Sequence, residues 1–313
     1  MGQTQTKSVL VIGSFMMDLV ALTPRIPEDG ETVIGTSFGR FPGGKGANQA
    51  VTAARLGAPV TMVGKLGADD FGDEFLHTLN AESINTSYIL RDQLHPTGVG
   101  SIYIDEHGNN RIIVIPGSNL QFTPQEVDNV KEVIREAGVL ILQLEMNILT
   151  VKRAAELAHG FNVPVILNPA PAQELDDELY KKITYLTPNQ KEAQFLSGIE
   201  VHDQNSAQKA AEILLDKGVQ NIILTLADQG ALIANKHKMI HIPGFPVEPI
   251  DTVGAGDSFN GALAFGIVHA MDLEETVEMA NAVGALTVTK KGAIPSLPYY
   301  KDVQPFVIDS PLK

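Results

Sequence analysis

Residues 251–257 read Asp251-Thr252-Val253-Gly254-Ala255-Gly256-Asp257, and a helix of small residues is expected to follow at once, through Ser258-Phe259-Asn260-Gly261-Ala262-Leu263. Gly254, Ala255 and Gly256 leave their backbone N–H groups almost unshielded where that helix begins. A helix N-terminus carries partial positive charge and unpaired donors, so such a loop attracts anions. Asp257 stands in the first turn, beside this anion hole. A carboxylate next to converging N–H groups suits transfer of a phosphoryl group to an alcohol. The N–H groups of Gly254, Ala255 and Gly256 would stabilise charge on the transferred group, and Asp257 would take the hydroxyl proton. The same residues also fit a capped helix after a glycine turn, and taken alone they are compatible with both.

A second stretch, Gly43-Gly44-Lys45-Gly46-Ala47-Asn48-Gln49, opens a helical segment that runs to Leu56. Its glycines allow backbone to approach a ligand closely. Lys45 and Asn48 can donate to hydroxyls or phosphates. Gly39, followed after four residues by Gly44-Lys45, comes close to a P-loop, but Gly46 stands where Ser or Thr would hold Mg²⁺. The segment is therefore a Gly-rich ligand loop.

These two stretches resemble the paired signatures of the ribokinase / phosphofructokinase-B family of sugar kinases. The resemblance covers nearly the whole chain. Asp18 follows the first strand. Gln143-Leu144-Glu145, Asn168-Pro169-Ala170-Pro171-Ala172, Pro188-Asn189-Gln190-Lys191-Glu192 and Lys291-Gly292-Ala293 come after it in order. The Gly-Gly-Lys-Gly-Ala-Asn-Gln string points to the ribokinase–deoxyribokinase branch. The implied fold is α/β: a three-layer, doubly wound, mostly parallel sheet, with a small β-sheet lid that closes over the sugar and often pairs with a second subunit's lid. The implied reaction is ATP-dependent phosphorylation of a pentose 5-hydroxyl, with Asp257 as general base.

The resemblance also assigns the remaining roles. Asp18, Gly43, Gly44, Lys45, Asn48 and Glu145 would hold the sugar. Asn189, Thr225, Gly230, Gly256 and Asn281 would meet the nucleotide, and Glu192 would hold Mg²⁺ through water. A monovalent cation, usually K⁺, would sit beside the anion hole at Asp251, Val253, Thr287, Lys290, Gly292 and Ser296, mostly on carbonyls. One position departs from the ribokinase pattern. Met16 stands two residues before Asp18, where many ribokinases carry Asn. Met cannot hydrogen-bond a ribose 2-hydroxyl and offers an apolar wall, as in the deoxyribokinase pattern. 2-Deoxy-D-ribose is therefore an expected substrate, with D-ribose still accepted; Met16 acting as packing alone is the other reading.

Competing functions are separable on the same residues. A fructokinase or adenosine kinase of this fold would lack the Gly-Gly-Lys-Gly-Ala-Asn-Gln string. A non-catalytic sugar-binding relative would have lost Asp257 or the Gly loop. A dehydrogenase would need a dinucleotide fingerprint after the first strand, where Gly13-Ser14-Phe15-Met16 stands instead.

Bulk properties agree. The chain has 313 residues, 44% hydrophobic, with net charge −14 and no Cys. Its acidity excludes a nucleic-acid footprint and repels ATP at long range, so phosphate must be held by local dipoles, Lys45 and metal. No apolar run approaches the ~20 residues of a membrane span, and the cytoplasm is the expected compartment. Met1-Gly2-Gln3-Thr4-Gln5-Thr6 formally matches an N-myristoylation pattern, although a short polar overhang is the expected reading. The His residues show no metal spacing.

The elements that must position these residues alternate. Val9–Gly13, Val139–Leu144, Val163–Leu167, Ile183–Leu186 and Asn221–Leu226 read as strands buried on both faces. Thr123–Glu136, Thr150–His159, Ser206–Lys217 and Glu274–Lys290 read as helices. That alternation predicts a mostly parallel sheet with ligands beyond its carboxyl ends. There Asp18, Glu145, Asn168, Asn189 and the Asp257 loop converge. Residues 15–41 and 97–118 read instead as antiparallel strands forming the lid, with a hairpin turn at Glu106–Asn110. One domain over 1–313 is expected, without linker or repeat.

Overall fold

The computed structural model describes residues 7–308; the N-terminal lipidation pattern lies outside them. Among the described residues thirteen strands form two sheets. The larger has nine strands: β1 (Val9–Ile12), β4 (Val60–Gly67), β5 (Asn85–Asp92), β8 (Val139–Leu142), β9 (Val165–Leu167), β10 (Tyr185–Leu186), β11 (Asn221–Thr225), β12 (Ala231–Asn235) and β13 (Met239–Ile242). Their order is β13-β12-β11-β10-β9-β8-β1-β4-β5. All pairs from β5 to β11 are parallel, and β12 and β13 add antiparallel.

Strand alternation explains the layers. Leu10 and Ile12 of β1, with Leu140 and Leu142 of β8, face one core. Val9 and Val11, with Val139 and Ile141, face the other. The first core is covered by α3 (Pro124–Asp128), α4 (Lys131–Glu136), α5 (Ile148–Gly160), α7 (Gln190–Ser197) and α8 (Gln204–Asp216). The second is covered by α1 (Lys45–Arg55), α2 (Asp70–Ala81), α9 (Ala255–Val268) and α10 (Leu273–Val288), with α11 (Tyr300–Ile308) beyond. The short α6 (Asp177–Tyr180) precedes β10.

Local chemistry sets the element ends. Thr123 caps α3 with the expected box to Glu126. The helix expected over Thr123–Glu136 breaks, however, at Asn129-Val130, where Val130 adopts φ −107°, ψ 16°. Asn and Val are weak helix formers. The strand expected to reach Leu144 ends at Leu142, where Asn168 N donates to the Leu142 carbonyl and Leu144 N turns to Ala170 O. β9 likewise starts at Val165, after Pro164, and β10 at Tyr185.

The smaller sheet has four strands, β3 (Ser37–Gly43), β2 (Met16–Leu22), β6 (Val99–Ile104) and β7 (Asn110–Ile115), in that order. β2–β3 and β6–β7 are antiparallel, as expected, but the central β2–β6 pair is parallel. The reason is topological: both strands leave the larger sheet from the same edge and run outward together. Asn119 anchors their root. Its Oδ1 accepts from Phe15 N at 2.9 Å, and its Nδ2 donates to Phe15 O at 2.7 Å and Pro116 O at 2.9 Å.

Candidate active site

β1 lies between β4 and β8, both parallel to it, and the winding proceeds away from it in opposite directions, through β4 to β5 on one side and through β8 to β11 on the other. Such a switch point leaves a crevice at the carboxyl ends of the strands. Ser14 leaves β1 there, and Glu145 follows β8. Ser14 Oγ donates to Glu145 Oε2 at 2.5 Å, and Lys45 N donates to the same oxygen at 3.1 Å. Among the described residues Glu145 Oε1 accepts no hydrogen bond. Ser14 was not singled out from the sequence; a buried hydroxyl directly after an apolar strand was its only signal.

α1 enters through Gly44, at φ 86°, whose added Cβ would stand 2.6 Å from Met16 N. Gly46 packs as closely on Gly13 and Ser14. α9 meets α1 through Gly261, where a Cβ would stand 2.7 Å from the Gln49 carbonyl. This close crossing sets Asp257 against two consecutive residues of α1. Asn48 Nδ2 donates to Asp257 Oδ2 at 2.9 Å, and Gln49 Nε2 to Asp257 Oδ1 at 3.1 Å. Asn48 Oδ1 is buried without a partner, an acceptor waiting for a donor.

The 254–257 loop behaves as its composition predicts. Gly254 sits at φ 80° as the N-cap of α9. Among the described residues, the N–H groups of Gly254, Gly256 and Asp257 donate to nothing, and Ala255 N makes only a 3.4 Å contact to Thr252 O. Space in front of Gly256 is open: its Cβ would meet nothing within 4 Å. The loop can thus take an anion directly beside a carboxylate.

Asp18 enters from β2, in the lid. Its carboxyl is clasped between Gly43 and Gly100, where added Cβ atoms would stand 2.8 Å and 2.6 Å from its oxygens. Burial first, then the charges of Glu145 and Asp257, push this carboxyl up to about 7. Met16 is buried, and its Cγ lies 3.7 Å from the Cβ position of Gly100. Burial opposes the charge on Lys45, but Asp257, Glu145 and Glu192 together outweigh it and hold the ammonium above its usual range.

Asn189 and Glu192 form a reciprocal cap at the start of α7, with Glu192 N donating to Asn189 Oδ1 and both Glu192 oxygens accepting from Asn189. Burial raises the Glu192 carboxyl against those bonds and the Lys45 charge. Asn189 bridges to Thr225, so these two come together. Gly230, at φ 95°, is needed where the 242–244 backbone passes: its Cβ would stand 2.1 Å from Ile242 O. Asn281 Nδ2 is spent on Ile242 O and Pro243 O, and its side-chain oxygen accepts no hydrogen bond among the described residues.

Asp251 pins two loops together. Its Oδ2 accepts from Gly292 N at 2.9 Å, and its Oδ1 from Val253 N at 3.1 Å. Among the described residues, the carbonyls of Val253, Lys290 and Gly292 accept no hydrogen bond. Thr287 Oγ1 is engaged by Val283 O of its own turn and by Ser258 Oγ of α9, and Ser296 Oγ by Ala293 O. No group of three or more His, Asp or Glu suited to a metal occurs among the described residues.

The match to known proteins is broad. The profile described as pfkB family carbohydrate kinase matches residues 6–299. The chain belongs to the pfkB family of carbohydrate kinases. This kinase is 38% identical to the deoxyribokinase of Salmonella typhi, over 93% of its own length and 95% of that protein's. It is 39% identical to the ribokinase of Bacillus subtilis, over 95% and 98% of the two chains. Its fold superposes on that of Arabidopsis thaliana ribokinase complexed with ribose and ATP with a TM-score of 0.94, at 30% identity, covering 98% of this chain and all of the other.

Proposed function

We propose that this kinase transfers the γ-phosphoryl group of ATP to the 5-hydroxyl of 2-deoxy-D-ribose or D-ribose, the chain acting as one catalytic domain under its lid. The observation that carries the reading is Asp257, held by Asn48 and Gln49 beside the free N–H groups of the Gly254–Gly256 loop. Asp257 takes the hydroxyl proton as the oxygen attacks phosphorus. The loop N–H groups and Lys45 hold the charge on the transferred oxygens. Asp18, the unpartnered Asn48 Oδ1 and the open Glu145 oxygen receive the sugar's other hydroxyls. Gly43 and Gly44 keep the backbone close to it. The nucleotide lies along Asn189, Thr225, Gly230 and Asn281.

Glu192 suits Mg²⁺ held through water, since Mg²⁺ keeps its waters and needs few carboxylates. The free carbonyls around Asp251, Val253, Lys290 and Gly292, near Thr287 and Ser296, suit a monovalent cation such as K⁺. Bound there, the two ions would neutralise phosphate charge and stiffen the anion-binding loop.

Sugar choice turns on Met16. Met16→Asn is expected to raise the ratio of kcat/KM for D-ribose over 2-deoxy-D-ribose about tenfold, the worth of one recovered hydrogen bond to a hydroxyl. An unchanged ratio would reduce Met16 to packing.

Asp18 must be ionised to accept two hydroxyls. With its carboxyl at about 7, kcat/KM for the pentose is expected to fall tenfold per pH unit below that value. The stability effect has the opposite sign. A carboxyl raised from 3.8 to about 7 binds its proton more tightly when folded, so between these values acidification through this group favours folding. A pH profile of kcat/KM that stays flat down to 5.5 at constant fold would remove Asp18 from sugar binding.

A homodimer through the lid fits its surface. β7 reads Asn-Arg-Ile-Ile-Val-Ile, yet every residue of it is exposed, and Phe38 is 67% exposed. Sedimentation is expected to give twice the chain mass, and Ile113→Lys the single mass; a monomeric wild type would refute the pairing. Among the described residues no helix is long and apolar enough to cross a membrane, and a cytoplasmic enzyme is the proposal.

A further inference from the structure

Two buried glutamines stand behind the Asp257 carboxylate with no part in the reaction as described. Gln49 lies on α1 and Gln143 just after β8, and neither is exposed at all. Gln49 Nε2 donates to Asp257 Oδ1 at 3.1 Å and to Asn168 Oδ1 at 3.2 Å, while Gln49 Oε1 accepts from Gln143 Nε2 at 2.6 Å. Asp257 needs the NH₂ end of that amide. Gln143 Nε2, together with the acceptors of Asp257 and Asn168, decides which end it gets: a flipped Gln49 would set NH₂ against NH₂ and its carbonyl against two acceptors. The chain of bonds then returns to the catalytic loop. Asn168 Nδ2 donates to Thr187 O at 3.4 Å, Thr187 Oγ1 to Asn260 Oδ1 at 2.6 Å, and Asn260 Nδ2 to Gly256 O at 2.8 Å. One buried network therefore holds both the Asp257 carboxylate and the backbone of the residue before it.

We propose that Gln49, oriented by Gln143, is a positioning residue that holds the Asp257 carboxylate aimed at the acceptor hydroxyl. This rests on Asp257 being the general base. Three charged groups also face Asp257: Lys45 from α1, Asp18 from β2 and Glu192 from α7. None of them donates to Oδ1, so among the described residues Gln49 alone fixes that oxygen. Asn48 fixes the other, and the two donors together define the plane of the carboxylate.

The test is steady-state kinetics of the full chain with ATP, Mg²⁺ and K⁺, using 2-deoxy-D-ribose as acceptor. Gln49→Met keeps the side-chain length and removes both amide ends. Its kcat is expected to fall roughly 10- to 100-fold, with the pentose KM within about threefold. Gln143→Met, which touches no substrate, should give a smaller fall of the same kind. The double variant should be no worse than Gln49→Met alone, since an absent amide needs no orienting. Circular dichroism shows which variants fold, and Gln143→Met decides the matter if Gln49→Met does not. A lowered kcat matched by an equal rise in the pentose KM, or losses that multiply in the double variant, would overturn the proposal. Asp257→Asn with near wild-type kcat would overturn the base assignment and the proposal with it. An inactive Asp257→Asn beside a wild-type-like Gln49→Met would overturn the proposal alone.

Discussion

Asp257→Asn is expected to lower kcat about 10³-fold while leaving the pentose KM within a few-fold. Several carboxylates face the crevice, but among the described residues Asp257 is the one in the first turn of α9, beside the N–H loop where a phosphoryl group would sit. Asp18 stands on the lid, and Glu145 Oε2 is already engaged by Ser14 and Lys45. General base catalysis contributes about 10²–10⁴-fold, and a neutral amide cannot take the proton. Asn matches Asp in shape, so the fold should survive. One NH₂ would then face Asn48 or Gln49, an unsatisfied contact worth about 1–3 kcal/mol of stability. Initial rates and thermal unfolding read the two effects separately. A kcat within tenfold of wild type would place the base elsewhere.

Gly44→Ala is expected to destabilise the chain by roughly 2–5 kcal/mol and to abolish measurable pentose binding. Two penalties add. Gly44 sits at φ 86° and ψ 141°, a region nearly closed to other residues. The new Cβ would also stand 2.6 Å from Met16 N and 3.0 Å from Phe15 C, both backbone atoms. Relief requires moving the root of the lid away from α1, which separates Met16 and Asp18 from Lys45 and Asn48. Gly57→Ala is the control. It has φ 104° but open space around it, and should cost about 1–2 kcal/mol without touching sugar affinity. Chemical denaturation and calorimetry of sugar binding measure both. Equal behaviour of the two variants would contradict the role given to the crossing.

The buried strands were legible because a parallel sheet with both faces covered needs continuous apolar runs, as at Val9–Ile12 and Val139–Leu142. The Gly254–Asp257 loop was legible because only small residues leave N–H groups bare. Thr123, with Glu126 after it, marked its own helix start. Other features had no such local signature. The parallel β2–β6 pair joins segments about 80 residues apart in a chain where each hairpin reads as antiparallel on its own. The break at Asn129-Val130 reflects how α3 and α4 pack, which helical periodicity does not carry. Cation-binding carbonyls leave no trace in residue type. Gln49 and Gln143 were visible as letters within motifs, but the bonds of Gln49 to Gln143 and to Asp257 exist only once α1, α9 and β8 meet.

The central claim is tested most directly by following ATP consumption by the purified protein, with Mg²⁺ and K⁺ saturating, as 2-deoxy-D-ribose and D-ribose are offered in turn. Phosphoryl transfer to both sugars is expected, with kcat/KM for 2-deoxy-D-ribose at least equal to that for D-ribose. ATP left unconsumed with both pentoses would contradict the assignment of this site to pentose phosphorylation.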